Sequence, residues 1–273
     1  MGRQIGIPTI VGITRAPARE PFVYIYEMKD NFSRQAEIYA RYRPAYPQTL
    51  FDFILERVEK KEAAWDCATG NGQTAKELAK HFKKVFATDI SQKQIDNAEK
   101  ADNIYYSLQP AEKTDFENDK FDLITVSQAL HWLDTGKFYE EANRVAKKNA
   151  WISVWTYPTL TISPEIDELV IGKHYNETLG SYWDSERKYV DDNYATLPFP
   201  FAEIKAPVFQ IVLYWTIDEL TGYLNSWSAL QKFIVINFYN PVDELIENIK
   251  PFWKEEKMKI IFPVYMRMGQ IEK

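Results

Sequence analysis

The stretch AWDCATGNGQTAKELA, residues 64–79, sets an aspartate at the close of a short apolar run, turns through two glycines and passes straight into a helical pattern. In a strand-turn-helix unit of this kind the unpaired N–H groups at the start of the helix face whatever lies over the turn. Gly70 and Gly72 have no side chain to hold a ligand away from the backbone. The run G-N-G-Q-T-A fits the dinucleotide fingerprint with Ala75 in its third place, but so short a match does not choose a ligand. Asp66 is more informative. A carboxylate four residues before Gly70 would repel a diphosphate and would suit an ammonium or sulfonium group.

S-adenosylmethionine carries both of those cations and no phosphate. The plain structural alternative for Asp66 is a cap on the turn. Asp89 closes the next apolar run, KVFATDI, 17 residues after Gly72, and so belongs at the same sheet edge. An acid there can accept both ribose hydroxyls of either cofactor, or it can cap the helix that opens at Ser91.

Outward from this unit, strand and helix patterns alternate. A helix is expected over 31–42, a proline-marked turn through RPAYP, and a second helix over about 47–60. AAWDCA reads as a strand, TAKELAKHF as a helix, KVFATDI as a strand and SQKQIDNAEKA as a helix. IYYSLQ, KFDLITVSQA and NAWISVWTY continue as strands, with the helix KFYEEANRVA before the last of them. The rhythm breaks after Pro158, where YWDSERKYVDDNYATLPFPF fits neither period. FQIVLYW and IIFPVYMRMG return as late strands, with helices beginning near Ile217 and Pro241.

This order predicts an α/β fold, a Rossmann-like, doubly wound, seven-stranded, mostly parallel sheet with helices on both faces and a helical, aromatic insertion after the fifth strand. Residues 1–29 are expected to be an N-terminal extension, either disordered or targeting, with Met28 as an alternative start. Residues 30–158 form the cofactor-binding core, 159–200 a substrate cap, and 201–273 the C-terminal part of the core sheet with its helices.

The 273 residues carry a net charge of −6 and no long basic stripe, which argues against nucleic acid as a partner. No apolar run reaches the roughly 20 residues of a membrane-spanning helix. One cysteine, Cys67, allows no internal disulfide and fits a reducing, cytoplasmic setting. No paired His or His-Glu spacing suggests a metal, so none is expected.

The segments DCATGNG, the acid after VFAT, the triplet PAE at 110–112 and FDLITVSQALHW resemble the ordered motifs of class I S-adenosylmethionine-dependent methyltransferases. More narrowly, NFSRQAEIYARYRPAYP, SQALHWLD, YWDSERKYVDDNYATLPFPF and YLNSWSA resemble the trans-aconitate methyltransferase-like branch that acts on small molecules. The resemblance spans about residues 30–270 and implies S-adenosylmethionine as cofactor. It implies that Asp66, Gly70 and Gly72 hold the methionine end, Asp89 the ribose, and Ile90, Ala111 and Glu112 the adenine. Ser127, Gln128 and Ala129 would lie near the reactive methyl, and Tyr39, Tyr42 and Arg43 would cover the site. Ala68 departs from the pattern, standing where many class I enzymes have a first loop glycine, and predicts a slightly tighter fit.

The resemblance also favours an organic acid as methyl acceptor. A carboxylate is already ionised near neutral pH and needs no base. An amine or hydroxyl acceptor would need one, and His131, directly after the central strand, is the candidate, with substrate contact or a packing role as its alternatives. The cap should supply the acceptor pocket. Trp132, Tyr182, Trp183, Arg187, Tyr194 and Trp227 are its candidate residues, with Arg187 either a bidentate clamp for an acid or a salt-bridge partner of the neighbouring carboxylates. Two other functions stay open on these residues: an NAD(P)-dependent dehydrogenase, and a cofactor-binding protein without turnover. A monomer or homodimer is expected.

Overall fold

A computed structural model describes residues 44–273 of the protein. Helix α1 (Gln48–Leu55) follows Pro47 and buries Leu50, Phe51, Ile54 and Leu55 along one stripe. Strand β1 (Ala63–Cys67) is followed by α2 (Gln73–Ala79), β2 (Lys84–Asp89), α3 (Gln92–Asp96), β3 (Ile104–Leu108) and β4 (Phe121–Ser127). Next come a 3-10 turn (Leu130–Trp132), α4 (Thr135–Val145) and β5 (Ala146–Thr156).

β1, β2, β3, β4 and β5 are parallel, in the spatial order β3-β2-β1-β4-β5. β1 and β4, the central pair, are buried along almost their whole length, as strands covered on both faces must be. Alternation divides them between two cores. Trp65, Ile124 and Val126 pack with Phe138 and Ala142 of α4 on one face, while Ala64 and Leu123 pack with α1 and α2 on the other. That is the doubly wound arrangement read from the sequence.

Beyond β5 the chain folds into short pieces. A four-residue helix α5 (Pro164–Asp167), N-capped by Ser163, runs into a π-helical segment over Glu168–Thr178. A 3-10 turn (Gly180–Tyr182) and α6 (Arg187–Asp191) follow, so the aperiodic stretch is built of brief turns. The chain then returns as β6 (Ala202–Ile204) and β7 (Phe209–Trp215). α7 (Ile217–Asn225), α8 (Ser228–Asn237), α9 (Val242–Ile249) and β8 (Met258–Gln270) complete it.

The thirteen-residue β8 runs antiparallel to three strands: its first half pairs with β7, and its second half with β5 on one edge and β6 on the other. Ile261 exchanges both backbone bonds with Thr161, so Pro263, two residues on, turns its donorless nitrogen to the same edge, in the gap before β5 pairing begins at Tyr265.

The sheet has eight strands rather than seven, because three-residue β6 carries no periodic signal. α3 stops at Asp96, short of the expected reach to about 101. Asn97 Nδ2 donates to the Lys93 carbonyl, and the Glu99 N–H leaves the helix ladder for Asn71 O at 3.2 Å. The helix expected over 31–42 lies outside the described residues.

Candidate functional site

The carboxyl ends of β1, β2, β4 and β5 meet at one edge, and a cavity of about 480 Å³ opens there. Its walls come from the turn after β1 (Ala68, Thr69, Gly70, Asn71), the end of β2 (Asp89, Ile90, Ser91), and Gln109, Ala111 and Glu112 after β3. Ser127, Gln128, Ala129, Trp132 and Leu133 follow β4, Tyr157 follows β5, and Tyr46 precedes α1. The cap contributes Asp184, Ser185 and Glu186, and α8 contributes Ser228.

Three residues of the turn after β1 take left-handed backbone: Ala68 (φ 53°), Gly70 (φ 58°) and Gly72 (φ 80°). Gly70 has open space where a side chain would project, and a Cβ on Gly72 would overlap the Tyr106 hydroxyl. Gly70 is favoured by its conformation in front of the cavity, and Gly72 is required by conformation and close approach together. Ala68 adopts the same region with a methyl group, at a backbone cost of about 1 kcal/mol. Its departure from glycine is thus felt as strain as well as fit.

Asp66 stands behind this wall rather than on it. It is fully buried and accepts from Thr125 Oγ1 at 2.8 Å and from Thr69 Oγ1 at 2.5 Å. Burial pushes its carboxyl up to about 6, against the pull of those hydrogen bonds. A carboxylate so committed organises the turn from behind. Gly72, at the N-cap of α2, likewise lies behind the wall.

Asp89 is on the wall. Its Oδ2 accepts the Gly70 N–H at 2.8 Å and its Oδ1 the Ser91 N–H at 2.9 Å, which fixes the carboxylate and ties the end of β2 to the turn after β1. A carboxylate offers about four acceptor sites, so it keeps capacity for a ribose hydroxyl beside these bonds. Burial raises its carboxyl above the ordinary value. The expected adenine neighbours Ile90, Ala111 and Glu112 line the same cavity, as do Ala68, Ser127, Gln128 and Ala129. Tyr39, Tyr42 and Arg43 lie outside the described residues.

The acceptor side differs more from expectation. Of the six candidates only Trp132 lines the cavity. Arg187 donates to the Pro158 carbonyl at 2.6 Å and to the Tyr175 hydroxyl, pairs with Asp191 and lies over the Trp183 ring, so its fork is used inside the cap. Trp183 donates its indole N–H to Tyr175 O, Trp227 is buried edge-on against Tyr175, and Tyr182 packs on Phe233. Tyr194 is fully buried. The aromatic residues of the cap build its core, and the short polar turn Asp184–Glu186 between Trp183 and Arg187 reaches the cavity instead. That polar interruption of an aromatic segment was the available signal. Tyr46 and Tyr157 had no signal, since each reaches the wall only through the fold.

His131 is buried beside Trp132, with Nδ1 at 2.9 Å from the Tyr194 hydroxyl. Burial, helped by the Arg187 charge, brings its pKa down to about 3. An imidazole that holds a proton so weakly stays neutral near pH 7 and makes a poor general base. Among the described residues no group of three or more His, Cys, Asp or Glu could hold a metal ion, and no helix is long and apolar enough to cross a membrane.

Residues 65–154 match the family model described as a methyltransferase domain, which spans the strands that build the cavity. A Dictyostelium discoideum protein provisionally named a methyltransferase is 36% identical over 251 residues, covering 89% of this chain and 95% of that one. A methyltransferase-like protein of Schizosaccharomyces pombe is 25% identical over 209 residues, covering 74% and 78%. A solved Anaeromyxobacter dehalogenans structure, provisionally described as a type II methyltransferase, is 34% identical with a TM-score of 0.78, covering 84% of this chain and 98% of that one. With a curled, mostly parallel sheet of this order, an acid at the end of β2 and relatives of this coverage, the chain belongs to the class I S-adenosylmethionine-dependent methyltransferases.

Proposed function

We propose that the protein transfers a methyl group to a small molecule bound in the same cavity as the cofactor, between the end of β4 and the Asp184–Glu186 turn. The observation that carries this reading is the cavity itself, whose walls come from the cofactor-binding strand ends and the cap together. Its volume of about 480 Å³ is of small-ligand size.

S-adenosylmethionine supplies an electrophilic methyl group on a positively charged sulfur. Asp89 would hold the ribose, Ile90, Ala111 and Glu112 would border the adenine, and the backbone of the turn after β1 would hold the methionine end with Asp66 bracing it from behind. Ser127–Ala129 and Trp132 would flank the reacting centre. Their task is to align the acceptor with the methyl carbon and keep water out, the main sources of acceleration when the electrophile arrives activated. In this reading residues 159–200 act as the cap and 201–273 return to the core sheet, and the reaction takes place in the cytoplasm, in keeping with a lone buried thiol.

The resemblance favours an organic acid as acceptor, and the wall favours a neutral or cationic molecule. Glu112, Asp184 and Glu186 line the cavity beside Asp89, and no Lys or Arg does so among the described residues. The test is S-adenosylhomocysteine release with matched panels of small carboxylates, amines and alcohols. Turnover with any panel supports small-molecule methyl transfer. Turnover with none, where an added peptide or nucleic acid is methylated, would refute it.

A further inference from the structure

Gln128 follows β4 in left-handed backbone, φ 54°, at the floor of the cavity. No glycine relieves this, so something must hold it. Its backbone N–H donates to Trp155 O at 2.9 Å. Its side chain is spent on β5 as well: Oε1 accepts from the Tyr157 N–H at 2.9 Å and Thr156 Oγ1 at 2.8 Å, and Nε2 donates to Tyr157 O at 3.0 Å. These partners fix the orientation of the amide, because the Tyr157 N–H can only donate and the Tyr157 carbonyl can only accept.

The orientation propagates. Thr156 is fully buried and has one hydroxyl proton, which goes to Gln128 Oε1. One amide thus fixes the Thr156 proton and pairs both backbone groups of Tyr157, tying the turn after β4 to the end of β5.

We propose that Gln128 is a positioning residue: by clamping the end of β4 to the end of β5, it holds the Ser127–Ala129 turn in the conformation that walls the reacting end of the cavity. The role rests on the methyltransferase reading above, since it concerns how that cavity receives the cofactor. Gln128 acts through the turn, with both polar side-chain atoms already engaged.

Two readouts test it. Amide hydrogen exchange reports the clamp directly: the Gln128 N–H, which donates to Trp155 O, should be protected in the wild type and in Thr156→Ser. It should exchange about tenfold faster in Gln128→Met and Thr156→Val, while the amides of the central strand β1 keep their protection. In calorimetric titration with S-adenosylhomocysteine, Gln128→Met and Thr156→Val should each weaken binding about tenfold, about 1.4 kcal/mol. The double variant should be hardly weaker than either single, and Thr156→Ser should stay within about twofold.

Wild-type exchange of the Gln128 amide in Gln128→Met would overturn the proposal, as would wild-type affinity in Thr156→Val or equal damage from Thr156→Ser. Should Gln128→Met fail to fold, the threonine pair carries both readouts alone. Failure of the wild type to bind S-adenosylhomocysteine would instead strike the methyltransferase reading, with amide exchange still deciding the clamp.

Discussion

The turn after β1 and the cap face each other across one cavity and are built on opposite plans. The turn is held by backbone and a few small polar groups: Thr69 reaches Asp66 three residues back, Gly70 meets Asp89 across 19 residues, and Thr125 reaches Asp66 across 59. The cap is held by large side chains. Arg187 reaches Pro158 over 29 residues, His131 meets Tyr194 over 63, and Arg267 anchors the Leu197 carbonyl over 70. Substitutions in the turn should therefore register as lost cofactor affinity, and substitutions in the cap as lost stability.

The largest effect is expected at Asp89. Asp89→Ala removes the acceptor for Gly70 N–H and Ser91 N–H together with the proposed ribose contacts. Charged hydrogen bonds of this kind are worth roughly 1.5–3 kcal/mol each, so titration should show cofactor affinity falling roughly 100-fold in a protein that still folds. Unchanged affinity would misplace the ribose and dissolve the contrast on its cofactor side.

Arg187 tests the other side. Arg187→Ala frees the Pro158 carbonyl, the Tyr175 hydroxyl and Asp191, and denaturant unfolding should show a loss of about 2 kcal/mol with cofactor affinity unchanged. Full stability combined with lost turnover on an acidic acceptor would restore the clamp role and make the cap a recognition element like the turn.

Asp66 sharpens the comparison, because here function and stability pull apart. Burial lifts its carboxyl from 3.8 to about 6, so between those values the folded chain keeps a proton that the unfolded chain has released. Stability contributed by this group is greatest below that window and falls as pH rises through it, with the penalty complete above about 6. Asp66→Asn should flatten the dependence and stabilise the empty protein by about 1 kcal/mol at pH 8, net of altered hydrogen bonds to Thr69 and Thr125. Melts of both proteins from pH 4 to 8 would check this, and an unaltered slope in Asp66→Asn would assign the pH dependence elsewhere.

The smallest effect is an absence of one. With its pKa brought down to about 3, His131 should leave no inflection in the rate between pH 5 and 8. A limb in that range that vanishes in His131→Gln would reinstate it as the base.

The same contrast explains what could be read in advance. β1, β2, β4 and β5 were legible because buried parallel strands are nearly continuous apolar runs, and the turn because Asp66, Gly70, Gly72 and Asp89 stand at spacings a short loop imposes. β6 was not, since three residues carry no period, and α3 ended early because the Asn97 side chain caps the Lys93 carbonyl and Glu99 found its partner outside the helix. Arg187, Trp183 and Trp227 carry the residue types of a binding pocket, and only their distant partners show that they pack the cap. Gln128 was expected beside the cofactor from the resemblance, while its clamp on Thr156 and Tyr157 depended on a strand pairing that only the fold displays.

The measurement that tests this account most directly is calorimetric titration of the full chain with S-adenosylmethionine, S-adenosylhomocysteine and NAD(H) in parallel. The account predicts saturable binding of both sulfur nucleosides and none of NAD(H). Binding of NAD(H) alone, or of none of the three, would contradict it.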